Sequence, residues 1–395
     1  MAIDLSIGER YDRCPQLDDE APGAYQAISP WHGAEIISCG GRDPGQKGKK
    51  EVPRERIFRT QDSVVARLNA RKPLLPFRAR NRDEWIQWRR AFRRALVREL
   101  GPMPERVPLR AEVLERADEG DYLREKVVFD SERFMSVAAW VLVPKGLKRG
   151  ERRAGILCAH GHGVGKDGLV GVADCAYQKN FAVTLARRGY VVIAPDWRCF
   201  GERTDSDAWV RRPSRDGCNV AYLAMGYFGF HMLALQVLDG MRTLDYLSRR
   251  KEVDAKRIGC IGCSFGGTMT TYLSALEPRI KASVICCYIS TLRDAFTRGL
   301  GNFCGVQYMP GLAKYGDIPE VAMLIAPKPL QVQVGEQDQC FVREDAVPAA
   351  KRLKRAYSVA GAGDRFDLDI FAGGHEIDPD RAIAFFDRWL DQSGR

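Results

Sequence analysis

From residue 109 onward the chain is regularly patterned. Leu109–Arg116, Tyr122–Phe129 and Met135–Val143 alternate apolar and polar residues, and turn residues such as Glu119-Gly120 separate them. That period of two is the mark of half-buried strands, and it predicts antiparallel strands opening a sheet. From Ile156 the strands become short apolar runs: Ile156–Ala159, Val191–Ala194, Ile258–Ile261, Ala282–Tyr288 and Leu330–Val334, with Asp367–Phe371 last. Helical spacing fills the intervals at Asn180–Arg188, Asn219 to about Arg249 (one long helix or two shorter ones), Thr268–Leu276, about Ala346–Ala360 and Asp380–Asp391. Strands alternating with helices predict an α/β domain whose mostly parallel sheet is covered on both faces.

Upstream, Trp85, Trp88, Phe92 and Leu96 recur at three- and four-residue steps within Asn81–Leu100, a helix that Asn81 or Asp83 caps and Gly101-Pro102 stops. Arg89, Arg90, Arg93 and Arg94 between them read as a solvated face. Residues 1 to about 75 show little periodicity and include a basic, flexible loop, Gly40–Lys50. A wrap-around arm, an oligomer contact and a rim of the site all fit this stretch. The expected division is an N-terminal extension, 1–105, followed by a catalytic domain, 106–395.

Composition narrows the function. The 395 residues suit one α/β domain with an extension, and there are no internal repeats. No apolar run approaches the ~20 residues of a membrane helix, and no signal-peptide pattern opens the chain, so a cytoplasmic protein is expected. The 12 cysteines are diluted over a long chain, and Cys158, Cys260, Cys263, Cys286 and Cys287 fall in predicted strands. They read as small buried hydrophobes in a reducing compartment. Net charge is +10, but the basic residues are spread along helices and no nucleic-acid module is present, so neither nucleic acid nor membrane is expected as a partner.

The chemistry gathers around Gly262-Cys263-Ser264-Phe265-Gly266, set between the apolar run ending at Ile261 and the helix beginning near Thr268. Strand, sharp Gly-flanked turn and helix is the context of a G-x-S-x-G nucleophile elbow. A serine there needs a base, a carboxylate to orient that base, and donors for an oxyanion. The chain has five histidines, and only His375 follows Ser264, in the loop Gly373-Gly374-His375 after a predicted strand. In the order nucleophile, acid, base this leaves His375 as the base. Asp338 follows Leu330–Val334 and is the chosen acid, with Glu336 and Asp294 as rivals. His160-Gly161-His162-Gly163 occupies the oxyanion loop, so the backbone N–H groups of Phe265 and His162 are the expected donors, Gly163 being the near alternative. His160 and His162 have no third ligand at zinc spacing, and no metal or cofactor is expected. His160, Gly163, Trp197 and Arg198 are candidate pocket residues, although the charges of Asp196–Arg203 can equally pair with one another. Met225–Phe230, rich in aromatics and Gly, reads as pocket wall or core.

Several blocks together resemble the dienelactone-hydrolase-like, acetyl-xylan-esterase-like branch of the α/β-hydrolases. They are Gly161–Asp167, Gly189–Asp196, Asp254–Gly259, Gly262–Gly267, Ile325–Leu330 and Gly373–His375, and the resemblance covers roughly residues 80–392. It implies an α/β-hydrolase fold, with antiparallel N-terminal strands leading a mostly parallel sheet, and a Ser264–Asp338–His375 triad. Dienelactone hydrolases proper carry Cys at the elbow centre, whereas here Ser264 stands there with Cys263 before it. The expected activity is hydrolysis of a carboxylic ester through an acyl-enzyme, on esterified carbohydrate or small acyl esters. A peptidase or amidase would use the same machinery. A non-catalytic binding protein would have lost a triad member, and none is missing. A homo-oligomer contact through the extension is compatible with all of these.

Overall fold

Nine strands make one sheet in the computed structural model, which describes residues 56–206, 209, 215–297 and 303–390. The Gly40–Lys50 loop and most of the expected N-terminal arm lie outside these residues. The strands are β1 (Glu112–Asp118), β2 (Tyr122–Glu132), β3 (Met135–Pro144), β4 (Arg153–Ala159), β5 (Val191–Pro195), β6 (Val253–Cys263), β7 (Ile280–Cys286), β8 (Leu330–Gly335) and β9 (Phe366–Phe371). Their spatial order is β1-β2-β3-β5-β4-β6-β7-β8-β9. β1, β2 and β3 pair antiparallel, as do β3 and β5, and every later pair is parallel. The alternating strands therefore lie on one wing. The apolar runs lie in the centre, where both faces are covered.

The longer helices are α1 (Thr60–Ala70), α2 (Arg82–Leu100), α3 (Phe181–Arg188), α4 (Arg215–Gly226), α5 (Met232–Arg249) and α6 (Phe265–Leu276). Three short ones follow, α7 (Leu292–Thr297), α8 (Leu312–Tyr315) and α9 (Ile318–Met323), and then α10 (Arg343–Val359) and α11 (Pro379–Trp389). The segment 219–249 is two helices, broken at the turn through Gly229. Tyr227 and Phe228 in that turn are exposed, whereas Met225 and Phe230 on either side pack against the core. α1 was not legible because it buries no side chain and so leaves no apolar stripe. β7 stops at Cys286, two residues before the predicted end, because Cys287 takes φ +47° and leaves the pleat.

One apolar cluster packs α2, α5, α6, α9 and α10 against one face of the sheet, and a second packs α3 and α11 against the other. α6 is buried on all sides. Its polar side chains are satisfied internally: Thr271 Oγ1 donates to Gly267 O at 2.8 Å, and Ser274 shares a 2.7 Å hydrogen bond with Ser283. α2 belongs to the same core as the sheet. Trp85, Trp88, Phe92 and Leu96 are buried, and the Trp88 and Phe92 rings stack with centroids 5.2 Å apart. Its arginines are not simply solvated. Arg89 is half-buried and donates to Leu324 O at 3.2 Å, and Arg93 donates to Leu276 O at 3.4 Å.

Phe92 is 1% exposed, so truncation leaves a cavity that α2 cannot collapse into. Phe92→Ala is expected to destabilise the protein by about 3–5 kcal/mol, read from urea unfolding midpoints, while Val97→Ala on the exposed side changes stability by no more than about 0.5 kcal/mol. Equal effects of the two would show that α2 is not part of the core.

Candidate active site

Ser264 sits at the tip of β6 with φ +60° and ψ −121°, a backbone conformation costing on the order of 1–3 kcal/mol for a residue with a Cβ. Close packing imposes it. A Cβ on Gly262 would strike the carbonyl of Gly266, and one on Gly266 would strike the carbonyl of Ala159 at the end of β4. Ser264 N–H donates to Cys286 O at 3.1 Å, and Thr268 N–H donates to Ser264 O at 3.1 Å. The elbow thus clamps β6 between its neighbours and starts α6 at Phe265. Phe265 N–H is one of the first-turn donors that a helix leaves without an internal partner.

Asp338 and His375 meet over the ends of β8 and β9. His375 Nδ1 lies 3.0 Å and 3.2 Å from the two carboxylate oxygens of Asp338. The carboxylate is buried and also accepts the N–H groups of Cys340 at 2.7 Å and Phe341 at 2.9 Å. Both loops are tied by backbone: Gln337 N–H donates to Gly373 O and Glu336 N–H to Phe371 O. The rivals are elsewhere. Glu336 is exposed, and Asp294 accepts from Thr291 at the start of its own helix. Among the described residues no hydrogen bond joins Ser264 to His375.

Three neighbours of His375 had no signal in the sequence. Tyr177 and Phe341 lie nearly parallel to the imidazole, with centroids 5.8 Å and 5.9 Å away. Tyr177 also donates its hydroxyl to His162 O at 2.6 Å, linking the His375 ring to the loop after β4. The third is Cys287, whose thiol lies within 4.8 Å of the facing atoms of Asp338 and His375. Burial alone would lower His375, but the hydrogen bond and charge of Asp338, with the Cys287 thiol, outweigh it and raise the imidazole to about 10. The Cys287 thiol is pushed down by hydrogen bonds from Cys263 and Cys286, with His375 contributing.

The two histidines of the loop after β4 have different partners. His160 is buried, its Nε2 accepts Trp197 N–H at 3.0 Å, and its Nδ1 therefore carries the proton donated to Gly161 O at 2.7 Å. His162 Nε2 lies 3.1 Å from Cys304 Sγ, and its ring lies against Phe265 and against Phe200, which also meets His160. Gly163 follows with φ +135°. The sequence has no ligand set at zinc spacing, and proximity in space follows different rules. In space His162, Cys218 and Cys304 come together, as do two sets around Cys287.

Trp197 and Arg198 lie below the surface. Trp197 is fully buried, and Arg198 makes two hydrogen bonds to Asp239, at 2.9 Å and 3.0 Å, and one to Glu132 at 3.3 Å. Arg203 adds a third to Asp239 at 2.7 Å. Asp196 accepts Lys166 N–H at 2.7 Å and Glu202 N–H at 3.0 Å. These charges pair with one another and fix the loop after β5; none of these bonds leaves the protein.

Burial, partly offset by Asp196, lowers His160 from 6.5 to about 4. Between those values the unfolded chain binds a proton that the native chain does not, so stability rises with pH across the window. The contribution is full above pH 6.5 and is lost as pH falls through about 4. Between pH 6.5 and 4.5 the loss from this group is about 2 kcal/mol. His160→Gln keeps an acceptor for Trp197 and a donor for Gly161 but cannot titrate, so its urea-unfolding stability is expected to fall less over that range. An unchanged slope would assign the acid sensitivity to other groups.

Comparison with known proteins fits this arrangement. The chain is 29% identical over 306 residues to "Putative hydrolase YtaP" of Bacillus subtilis (strain 168), covering 75% of this chain and 98% of that protein. Among solved structures, a "putative acetyl xylan esterase" from Bacteroides fragilis NCTC 9343 superposes with a TM-score of 0.66 at 20% identity, over 80% of this chain and 83% of that one. Methylesterase BT1017 gives 0.63 at 22% identity, over 84% and 68%. These two likenesses establish the fold. The sequence pattern of the Abhydrolase family matches residues 49–375, so the chain belongs to that family and is an α/β-hydrolase.

Proposed function

We propose that the protein is a serine carboxylic-ester hydrolase working through an acyl-enzyme, with Ser264 as nucleophile, His375 as base and Asp338 as its orienting acid. The supporting observation is the convergence of Asp338-bound His375 with the strained elbow serine at the carboxyl ends of β6, β8 and β9. Because Nδ1 faces Asp338, Nε2 is the nitrogen left to take the serine proton. Ser264 Oγ attacks the ester carbonyl, and the oxyanion is met by the N–H groups of Phe265 and His162. His375 then protonates the leaving alcohol. Water, deprotonated by the same imidazole, releases the acid. Asp338 holds the ring in the required tautomer and stabilises the imidazolium of each transition state. The names of the similar structures, an acetyl xylan esterase and a methylesterase, favour esterified carbohydrate or small acyl esters as the substrate class.

With p-nitrophenyl acetate, Ser264→Ala is expected to lower turnover by several orders of magnitude while circular dichroism stays native. Asp338→Asn offers a donor where an acceptor is needed and should cost on the order of 10⁴, the size of the same change in serine proteases. Glu336→Gln and Asp294→Asn should retain most activity. A folded Asp338→Asn enzyme with near wild-type turnover would remove Asp338 from the triad.

The base must be neutral to act, and His375 is raised to about 10. kcat/KM is therefore expected to climb through the alkaline range instead of levelling near 6.5. Cys287→Ser removes the thiol's share of that shift and moves the limb to lower pH. A wild-type limb near 6.5 that Cys287→Ser leaves in place would show that the thiol does not act on the base.

A further inference from the structure

Beside the loop after β4, three segments far apart in sequence deliver metal-binding donors to one place. His162 comes from that loop, Cys218 from α4, and Cys304 from the segment preceding α8. His162 Nε2 and Cys304 Sγ are 3.1 Å apart, and these two atoms and Cys218 Sγ all lie within 4.8 Å of one another. Cys218 and Cys304 are buried, and neither is in a disulfide.

Ligands around a tetrahedral zinc stand about 2.0–2.3 Å from the metal, which puts neighbouring nitrogen and sulfur atoms roughly 3.5–4 Å apart. The observed spacings bracket that value, so a cation can be taken up by small side-chain movements. The surroundings hold the donors in place. Tyr177 bonds the carbonyl of His162, and the imidazole rests against Phe200 and Phe265. Gly305 N–H donates to Asn219 Oδ1 at 2.8 Å, tying the Cys304 segment to α4 beside Cys218. Gln307 donates to Thr268 at 3.0 Å, keeping its carbonyl oxygen 3.7 Å from Cys304 Sγ. Outer partners of this kind orient ligands in metal sites.

We propose that His162, Cys218 and Cys304 bind a thiophilic divalent cation of the zinc class, in a site that staples α4 and the Cys304 segment to the loop after β4. Two thiolates and one imidazole supply three corners of a tetrahedron, so the ion crosslinks the three segments that carry them. Binding releases the thiol protons and involves no electron transfer. The proposal concerns this cluster alone and stands whether or not the esterase reading does.

The test uses the full chain, purified in reductant and without chelator, and reads metal by mass spectrometry. The expected content is about one zinc per chain, lost on dialysis against a strong chelator at mildly acidic pH and restored by zinc, with a higher unfolding temperature in the loaded form. Cobalt should give thiolate charge-transfer bands and intense tetrahedral d–d bands. Cys304→Ser and Cys218→Ser should weaken zinc binding at least about tenfold in competition with a chromophoric chelator, whereas Cys175→Ser, outside the cluster, should not. If the serine variants fail to fold, the wild-type cobalt spectrum decides. A chain that takes up neither zinc nor cobalt overturns the proposal. So do cluster variants that bind as well as wild type, or a Cys218–Cys304 disulfide in freshly purified protein.

Discussion

The backbone of Ser264 is the constraint on which the site depends. Left to itself, a serine at φ +60° and ψ −121° would relax, and its hydroxyl would turn away from the opening above the sheet. It is held because the strand before it and the helix after it cannot move apart. Gly262 and Gly266 bring β6, the start of α6 and the end of β4 to a spacing that admits no Cβ. α6 is anchored in turn by burial on every side. The energy stored at one residue is thus balanced by the core of the whole domain.

Around that fixed point the other groups are placed by loops that brace each other. The turn after β8 and the loop after β9 exchange backbone hydrogen bonds, so Asp338 and His375 are set by one unit of structure. Tyr177 spans from the imidazole to the carbonyl of His162. The loop after β5 is held by buried charges, with Asp239 taking both Arg198 and Arg203. Such a network adds little net stability once desolvation is counted, yet removing one partner leaves an uncompensated buried charge. Its value here is a loop with one conformation beside the loop after β4.

The thiols divide into two groups around the elbow. Cys263, Cys286 and Cys287 come together at the ends of β6 and β7, and Cys287, which leaves β7 with φ +47°, also lies beside Asp338 and His375. Cys218 and Cys304 gather on the other side, around the ring of His162. A single reading of all the cysteines as small hydrophobes therefore describes Cys158 and Cys260 within the strands better than it describes those at the strand ends.

The sequence by itself determined the succession of the nine strands, the antiparallel opening followed by a parallel sheet, and the elbow with its glycines. These rest on local periodicity and on backbone demands that one or two residue types satisfy, so they are written in the chain. His375 and Asp338 could be named because each follows its strand directly and rival residues are few; tertiary structure then separated buried Asp338 from exposed Glu336 two residues away. Only tertiary structure brought Tyr177 and Phe341 onto the imidazole, buried Trp197 and Arg198, and joined His162 to Cys304 across 142 positions of sequence. Such contacts arise where crossover connections return loops to one edge of the sheet. They have no period and no fixed spacing, and the chain shows them only when it is folded.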